Sequence, residues 1–210
     1  MPTVILISGA GSNMQAIAQR AALGELPIDI RAVVSDRADA PGLAKASALG
    51  IHTEVLAPRG YADRTSYDAA LTDLIERHAP RLLILAGFMR ILSSPFVRRF
   101  LGRTLNIHPS LLPKYPGLHT HRRVLEAHDH EHGASVHFVT EELDGGPIIV
   151  QARVAVLPTD DATTLAARIR GLEHRIYPAA VAWFANGRIE LTDGKVWFDG
   201  QPLQTPIVLE

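Results

Sequence analysis

Asn106-Ile107-His108 is the tripeptide of this chain whose residue types and spacing lend themselves most readily to chemistry. Residues 103–107 have the character of a strand. Alternate side chains of a strand point the same way, so Asn106 and His108 share one face at its carboxyl end. An amide donor beside an imidazole can hold an oxyanion and handle a proton. Asp144 sits in the acidic turn Glu141-Glu142-Leu143-Asp144-Gly145-Gly146. A carboxylate there can set the charge state of a histidine or take a proton through water. Each residue also has a plainer reading. His108 can be a strand-end histidine tied to a backbone carbonyl, and Asp144 an ordinary Asp-Gly turn. Spacing alone does not bring the two together.

A second constellation lies near the N-terminus. Val4-Ile5-Leu6-Ile7 feeds Ser8-Gly9-Ala10-Gly11-Ser12-Asn13, and a helical stretch follows over residues 14–23. Backbone amides at such a strand-to-helix turn, with the helix dipole, can hold an anion. Met14 stands where the dinucleotide fingerprint has its third glycine, and the Walker lysine is absent. The loop therefore suits a small phosphate better than a dinucleotide, with an ordinary tight turn as the equal alternative.

The elements that must position these residues alternate. Strand-like runs at 28–34, 52–56 and 82–86 are separated by helical spacing at 40–49 and 66–78, the latter with Leu71, Leu74 and Ile75 on one face. Strands alternating with helices predict an α/β fold with a mostly parallel sheet covered on both faces. The second half differs. His108-Pro109-Ser110-Leu111-Leu112-Pro113-Lys114-Tyr115-Pro116-Gly117 is too rich in proline for a regular element. A helix is expected at 119–127, strands at 134–139 and 148–156, and a long amphipathic helix at 163–184, disturbed near Gly171 and Pro178. A hairpin-like tail follows, bracketed by Gly187 and Gly194.

Length and composition bound the answer. The 210 residues are 47% hydrophobic and 20% charged, with a formal net charge of -1. That suits one folded domain and argues against a binder of nucleic-acid backbone. The chain has no cysteine, which removes disulfides, thiolate nucleophiles and Cys-rich metal sites. Neither a signal peptide nor a membrane-spanning run is apparent, so a cytoplasmic location is expected. Six of the ten histidines fall between His119 and His137. The tract His128-Asp129-His130-Glu131-His132 invites a metal-hydrolase reading, but it lacks the H-E-x-x-H pattern and reads as a solvated helix end or loop.

Five blocks, in order, carry a resemblance. They are Ser8-Gly9 through Asn13, residues 85–92 (LAGFMRIL), residues 106–121 (NIHPSLLPKYPGLHTH), residues 132–137 (HGASVH) and residues 143–147 (LDGGP). Together they resemble the folate-dependent formyltransferases, over nearly the whole chain. The branch resembled formylates glycinamide ribonucleotide in purine synthesis. The resemblance implies a Rossmann-like formyltransferase fold with antiparallel strands in the C-terminal half. It implies one domain over residues 1–210, its N-terminal half holding the ribonucleotide phosphate and its C-terminal half the folate and the catalytic residues. The implied reaction is attack of the ribonucleotide's amine on the formyl carbon of 10-formyltetrahydrofolate, through a tetrahedral intermediate. The cosubstrate is that folate, and no metal is required.

By motif, the resemblance makes Asn106, His108 and Asp144 the catalytic trio. Gly11, Ser12, Asn13, Arg64, Arg170 and Glu173 fall at ribonucleotide positions. Arg170 departs from the glutamine usual there. Leu85, Phe88, Arg90, Ile91, Leu92, Val97, Val139, Glu141, Leu143 and Asp144 fall at folate positions, with simple core packing the competing reading for Leu85, Phe88 and Val97. Thr104 departs from a usually apolar position, which places its hydroxyl either at the pocket rim or in the packing. The expected partners are the two small-molecule substrates, with neither nucleic acid nor membrane, in a monomer or homodimer. The nearest rivals are a formyltetrahydrofolate hydrolase, which carries an N-terminal regulatory domain, and a transfer-RNA formyltransferase, which carries a basic C-terminal one. The length leaves room for neither. Rivals of another class are the metal hydrolase and a nonenzymatic nucleotide-binding module.

Overall fold

Val4, Ile5, Leu6 and Ile7 are fully buried, as befits a strand covered on both faces. They lie on β1 (Pro2–Ile7) in a computed structural model that describes residues 1–209. The chain forms two compact units, Met1–Asn106 and a second that begins at Ile107.

In the first unit, β1 lies between β2 (Asp29–Ser35) and β4 (Leu82–Leu85). β2 continues to β3 (Thr53–Val55), and β4 to β5 (Thr104–His108), which runs through the boundary of the units. All these pairings are parallel and the order is β5-β4-β1-β2-β3. Parallel neighbours need crossovers. These are α1 (Ser12–Ala22), α2 (Pro41–Ala48), α3 (Arg64–Glu76) and α4 (Ser94–Arg99). Proline opens α2, where its missing N–H costs nothing. Asp63 and Ser66 form a capping box at the start of α3, and its expected apolar face, Leu71, Leu74 and Ile75, is buried. At six residues, α4 is too short to display a helical period, and the sequence does not reveal it.

In the second unit, β6 (Glu131–Phe138) pairs antiparallel with β7 (Ile148–Ala155), and β11 (Ile207–Val208) joins β7 in parallel. α5 (Thr120–Glu126) precedes β6, and α6 (Ala162–Ala185) packs on β6 and β7. Contrary to expectation, α6 runs unbroken through Gly171 and Pro178. Burial of Ile176, Tyr177, Ala180 and Val181 outweighs the one hydrogen bond that a proline forfeits. The tail forms a small antiparallel sheet of β8 (Ile189–Thr192), β9 (Lys195–Phe198) and β10 (Gln201–Pro202).

The histidine-rich tract also differs from its expected conformation. β6 begins at Glu131, so His132 is not in a solvated loop but in a strand, 1% exposed. A polar start to the strand hides its onset from hydrophobic periodicity. No described helix is long and apolar enough to cross a membrane.

Candidate active site

Asn106 and His108 close β5 and share one face of it, as alternation requires. His108 is buried, and two acceptors flank its ring. Nε2 lies 2.9 Å from the carbonyl oxygen of Tyr115, and Nδ1 lies 3.4 Å from Oδ2 of Asp144. A carbonyl only accepts, so Nε2 carries a proton. A carboxylate stands opposite Nδ1 as the second acceptor. The Asp144 contact is longer than a formed hydrogen bond. The same Oδ2 accepts from the backbone N–H of Gly117 at 2.8 Å, which fixes the carboxylate independently of the histidine.

Strained backbone occurs at these residues, as it does at Ala79, His128, Asp193 and Asp199. Tyr115 and Asp144 both have positive φ, 57° and 52°, as does His119 at 60°. Non-glycine residues reach this region at a cost, and such strain concentrates at functional sites. The proline-rich loop is tied down on several sides. The hydroxyl of Ser135 on β6 donates to the carbonyl of Ser110 and accepts from the N–H of Leu112, while Gln151 on β7 donates to the carbonyl of Leu112. Asp129 accepts from the hydroxyl of Tyr115 and the ammonium of Lys114. Gly146 is required where the turn after Asp144 folds back on β6, because a Cβ there would stand 1.8 Å from the carbonyl oxygen of Phe138.

Three of the other histidines of this unit are tied to Asp144 or to one another. Nε2 of His137 stands 3.8 Å from Oδ1 of Asp144, while Nδ1 donates to the carbonyl of Phe138 at 2.9 Å. Burial lowers the pKa of His137, and Asp144 only partly opposes that shift. Nδ1 of His121 and Nε2 of His132 are 2.9 Å apart, so one ring donates and the other accepts. Burial, with lesser repulsion from Arg170 and His108, lowers His121. Burial, then His121 and His108, lowers His132 to about 4. This pair is therefore neutral near pH 7. Sequence reasoning leaves His137, Tyr115 and Gly117 without a role at Asp144 or His108. Tyr115 and Gly117 act through backbone atoms, which no residue type announces.

In the first unit, Gly11 caps α1 in the left-handed conformation, with φ 66°. Its neighbour across the turn is Gly42, in the first turn of α2. A Cβ on Gly11 would stand 2.7 Å from the Cα of Gly42, and the N–H of Gly42 donates to the carbonyl of Gly9 at 3.0 Å. The starts of α1 and α2 thus approach closely at Gly9-Ala10-Gly11, each bringing the positive end of its helix dipole. Ser12 is half-buried and Asn13 buried. Gly42 is absent from the sequence-based candidates because its partner is 31 positions away.

The formyl transferase family model matches residues 1–181. The phosphoribosylglycinamide formyltransferase of Escherichia coli K12 is 52% identical over 203 residues, 97% of this chain and 96% of its own. The chain belongs to the phosphoribosylglycinamide formyltransferase family. The Haemophilus influenzae member is 44% identical, over 95% of this chain and 94% of its own. Among solved structures, the Coxiella burnetii formyltransferase superposes with a TM-score of 0.95 at 47% identity, covering 100% of this chain and 99% of that one. The Symbiobacterium toebii glycinamide ribonucleotide transformylase 1 gives 0.91 at 44%, covering 93% and 92%. The fold is thus the Rossmann-like α/β formyltransferase fold, with a mixed, mostly parallel central sheet and flanking helices.

The remaining positions of this formyltransferase sort by exposure. Leu85, Phe88 and Val97 are buried in the first unit, which suits either core packing or the wall of a pocket. Ile91 is exposed at 56% and Leu143 at 52%, apolar side chains open to a ligand. Leu92 and Val139 are half-buried and Glu141 is exposed. The Arg90 guanidinium lies 4.6 Å over the Tyr67 ring and 3.9 Å from Asp36, and Oδ2 of Asp68 accepts from the N–H of Ser93. The segment 90–92 is thereby held against α3. Arg64, first residue of α3, and Arg170 on α6 are exposed; Glu173, one turn beyond Arg170, is half-buried. The hydroxyl of Thr104 is buried and donates to the carbonyl of Phe100 at 2.9 Å, so it belongs to the packing and not to a pocket rim.

In the histidine-rich tract, Asp129 is engaged by Lys114 and Tyr115, and His132 by His121. Among the described residues, the three-ligand set that can hold a metal lies elsewhere, at His52, Glu54 and His78.

Proposed function

We propose that this formyltransferase moves the formyl group of 10-formyltetrahydrofolate to the amine of glycinamide ribonucleotide, with Asn106, His108 and Asp144 as its catalytic residues. Family membership supports the reaction. The approach of His108 to Asp144 is the single observation that carries the assignment of residues. The amine nitrogen attacks the formyl carbon, and a carbon–nitrogen bond forms while the carbonyl electrons move to oxygen. Asn106 donates to that oxyanion, and His108, held as imidazolium, stabilises the same charge. Aimed donors of this kind are commonly the largest catalytic contribution. The tetrahedral intermediate loses a proton from the attacking nitrogen, gains one on N10 of the folate, and breaks the N10–carbon bond. Asp144 keeps His108 charged and relays the proton through water. The electrophile is already activated and the nucleophile is a primary amine, so the chemistry calls for no metal.

The substrates are assigned on the same footing. Gly11, Ser12 and Asn13 take the ribonucleotide phosphate, with Arg64 and Arg170 as added cations and Glu173 on the ribonucleotide. Arg90, Ile91, Leu92, Val139, Glu141, Leu143 and Asp144 take the folate, with Leu85, Phe88 and Val97 backing them. The whole chain works as one formyltransferase domain on small molecules in the cytoplasm, without nucleic acid or membrane. The test is a turnover assay that follows tetrahydrofolate release from 10-formyltetrahydrofolate with and without glycinamide ribonucleotide. Release that depends on the ribonucleotide is expected. Release that does not need it would assign a hydrolase instead.

A further inference from the structure

We propose that His52, Glu54 and His78 form a binding site for one divalent transition-metal ion, of the zinc class, separate from the formyl-transfer residues. Oε1 of Glu54 is approached by two imidazole nitrogens, Nε2 of His78 at 2.5 Å and Nε2 of His52 at 3.3 Å. The ligand atoms all lie within 4.8 Å of one another. An ordinary ion pair needs one histidine; here a second ring converges on the same oxygen. Zinc bonds of about 2.0–2.1 Å in a tetrahedron separate neighbouring ligand atoms by roughly 3.3 Å. The His52–Glu54 pair already has that separation, and the His78–Glu54 pair reaches it when the proton between them gives way to a metal. Two imidazoles and one carboxylate favour zinc, nickel or copper over magnesium or calcium, and leave a fourth position for water.

The backbone beneath the ligands is fixed. The carbonyl of His52 accepts from the N–H of Val33 at 2.9 Å, Glu54 pairs with Val34 in register, and the N–H of His78 donates to the carbonyl of Ile75 at 3.1 Å. Glu54 and His78 are mostly covered, while the His52 side chain is 62% exposed and leaves the site open to solvent. A bound ion would staple β3, an edge strand of the first unit, to the chain leaving α3. Such a link stabilises the folded chain through the ligand's preference for it.

The test is calorimetric titration of the chelator-treated full chain with zinc chloride, alongside thermal denaturation. About one equivalent is expected to bind with a dissociation constant below roughly 100 μM, and to raise the melting midpoint by more than about 2 °C. Magnesium chloride should produce neither effect. His52→Ala and Glu54→Gln should each weaken zinc binding more than about tenfold. His52 is exposed, so its variant keeps the test open if a change at His78 harms folding. A His128→Ala/His130→Ala variant should bind zinc as the wild type does. Unchanged binding in His52→Ala, or loss of binding in the His128→Ala/His130→Ala variant, would overturn the assignment.

Discussion

Nδ1 of His108 faces Oδ2 of Asp144 at 3.4 Å, and the same carboxylate oxygen is fixed by the N–H of Gly117. The carboxylate therefore holds its place whether or not the histidine moves toward a substrate. The proposed electrostatic effect on the ring is therefore separable from a structural one. Asp144→Asn tests this, because asparagine tolerates the positive φ and still accepts from Gly117. Turnover should fall by about 100-fold or more, with the melting midpoint close to wild type. A wild-type pH–rate profile in Asp144→Asn would refute the electrostatic role.

Asn106→Ala removes the other proposed oxyanion donor. Steady-state assays should show kcat reduced by about 100- to 1,000-fold with little change in KM for either substrate, as expected for an interaction made in the transition state.

Gly42→Ala tests the close approach beneath the proposed phosphate loop. A Cβ at this position would stand 2.6 Å from Cδ1 of Ile7, and 3.0 Å from both the Cα of Gly11 and the carbonyl oxygen of Gly9. The loop must shift to make room. KM for glycinamide ribonucleotide should rise by about ten- to a hundredfold, and stability should drop by about 1–3 kcal/mol in denaturant titrations. KM for the folate should stay near its wild-type value.

The His121–His132 pair makes stability pH-dependent. His132 has a folded-state pKa of about 4 against 6.5 unfolded. As pH falls below about 6.5 the unfolded chain takes up the proton first, so stability is whole above that pH and declines down to about 4. The loss attributable to His132 is about 3 kcal/mol at most. Urea titrations between these pH values should show the decline, and His132→Gln should reduce it.

Thr104→Val removes a buried hydroxyl that donates to Phe100. Stability should fall by about 1 kcal/mol, with the folate KM unchanged. A folate KM raised severalfold would return Thr104 to the pocket.

Much of the first unit is legible in the sequence because its strands are continuous branched runs and its helices show a buried face. Val4–Ile7 and the Leu71, Leu74, Ile75 stripe are examples. What escapes has physical causes. α4 is shorter than two helical turns, and β6 begins with the polar pair Glu131-His132. The candidate site divides in the same way. Asn106 and His108 follow from strand alternation, and Asp144 from its motif. The carbonyl of Tyr115, the N–H of Gly117 and the approach of Gly42 to Gly11 depend on tertiary contacts between backbones. Metal-ligating capacity is the sharpest contrast. In the dense histidine tract Asp129 is engaged by Lys114 and Tyr115 and His132 by His121, while three residues spread over 27 positions converge on one point.

The coupling between His108 and Asp144 is tested most directly by a double-mutant cycle. Single-turnover rates of formyl transfer would be measured for wild type, His108→Ala, Asp144→Asn and the double variant. If Asp144 acts through His108, Asp144→Asn costs about 100-fold or more in the wild-type background and less than about threefold when His108 is already alanine. Equal losses in both backgrounds would contradict the assignment.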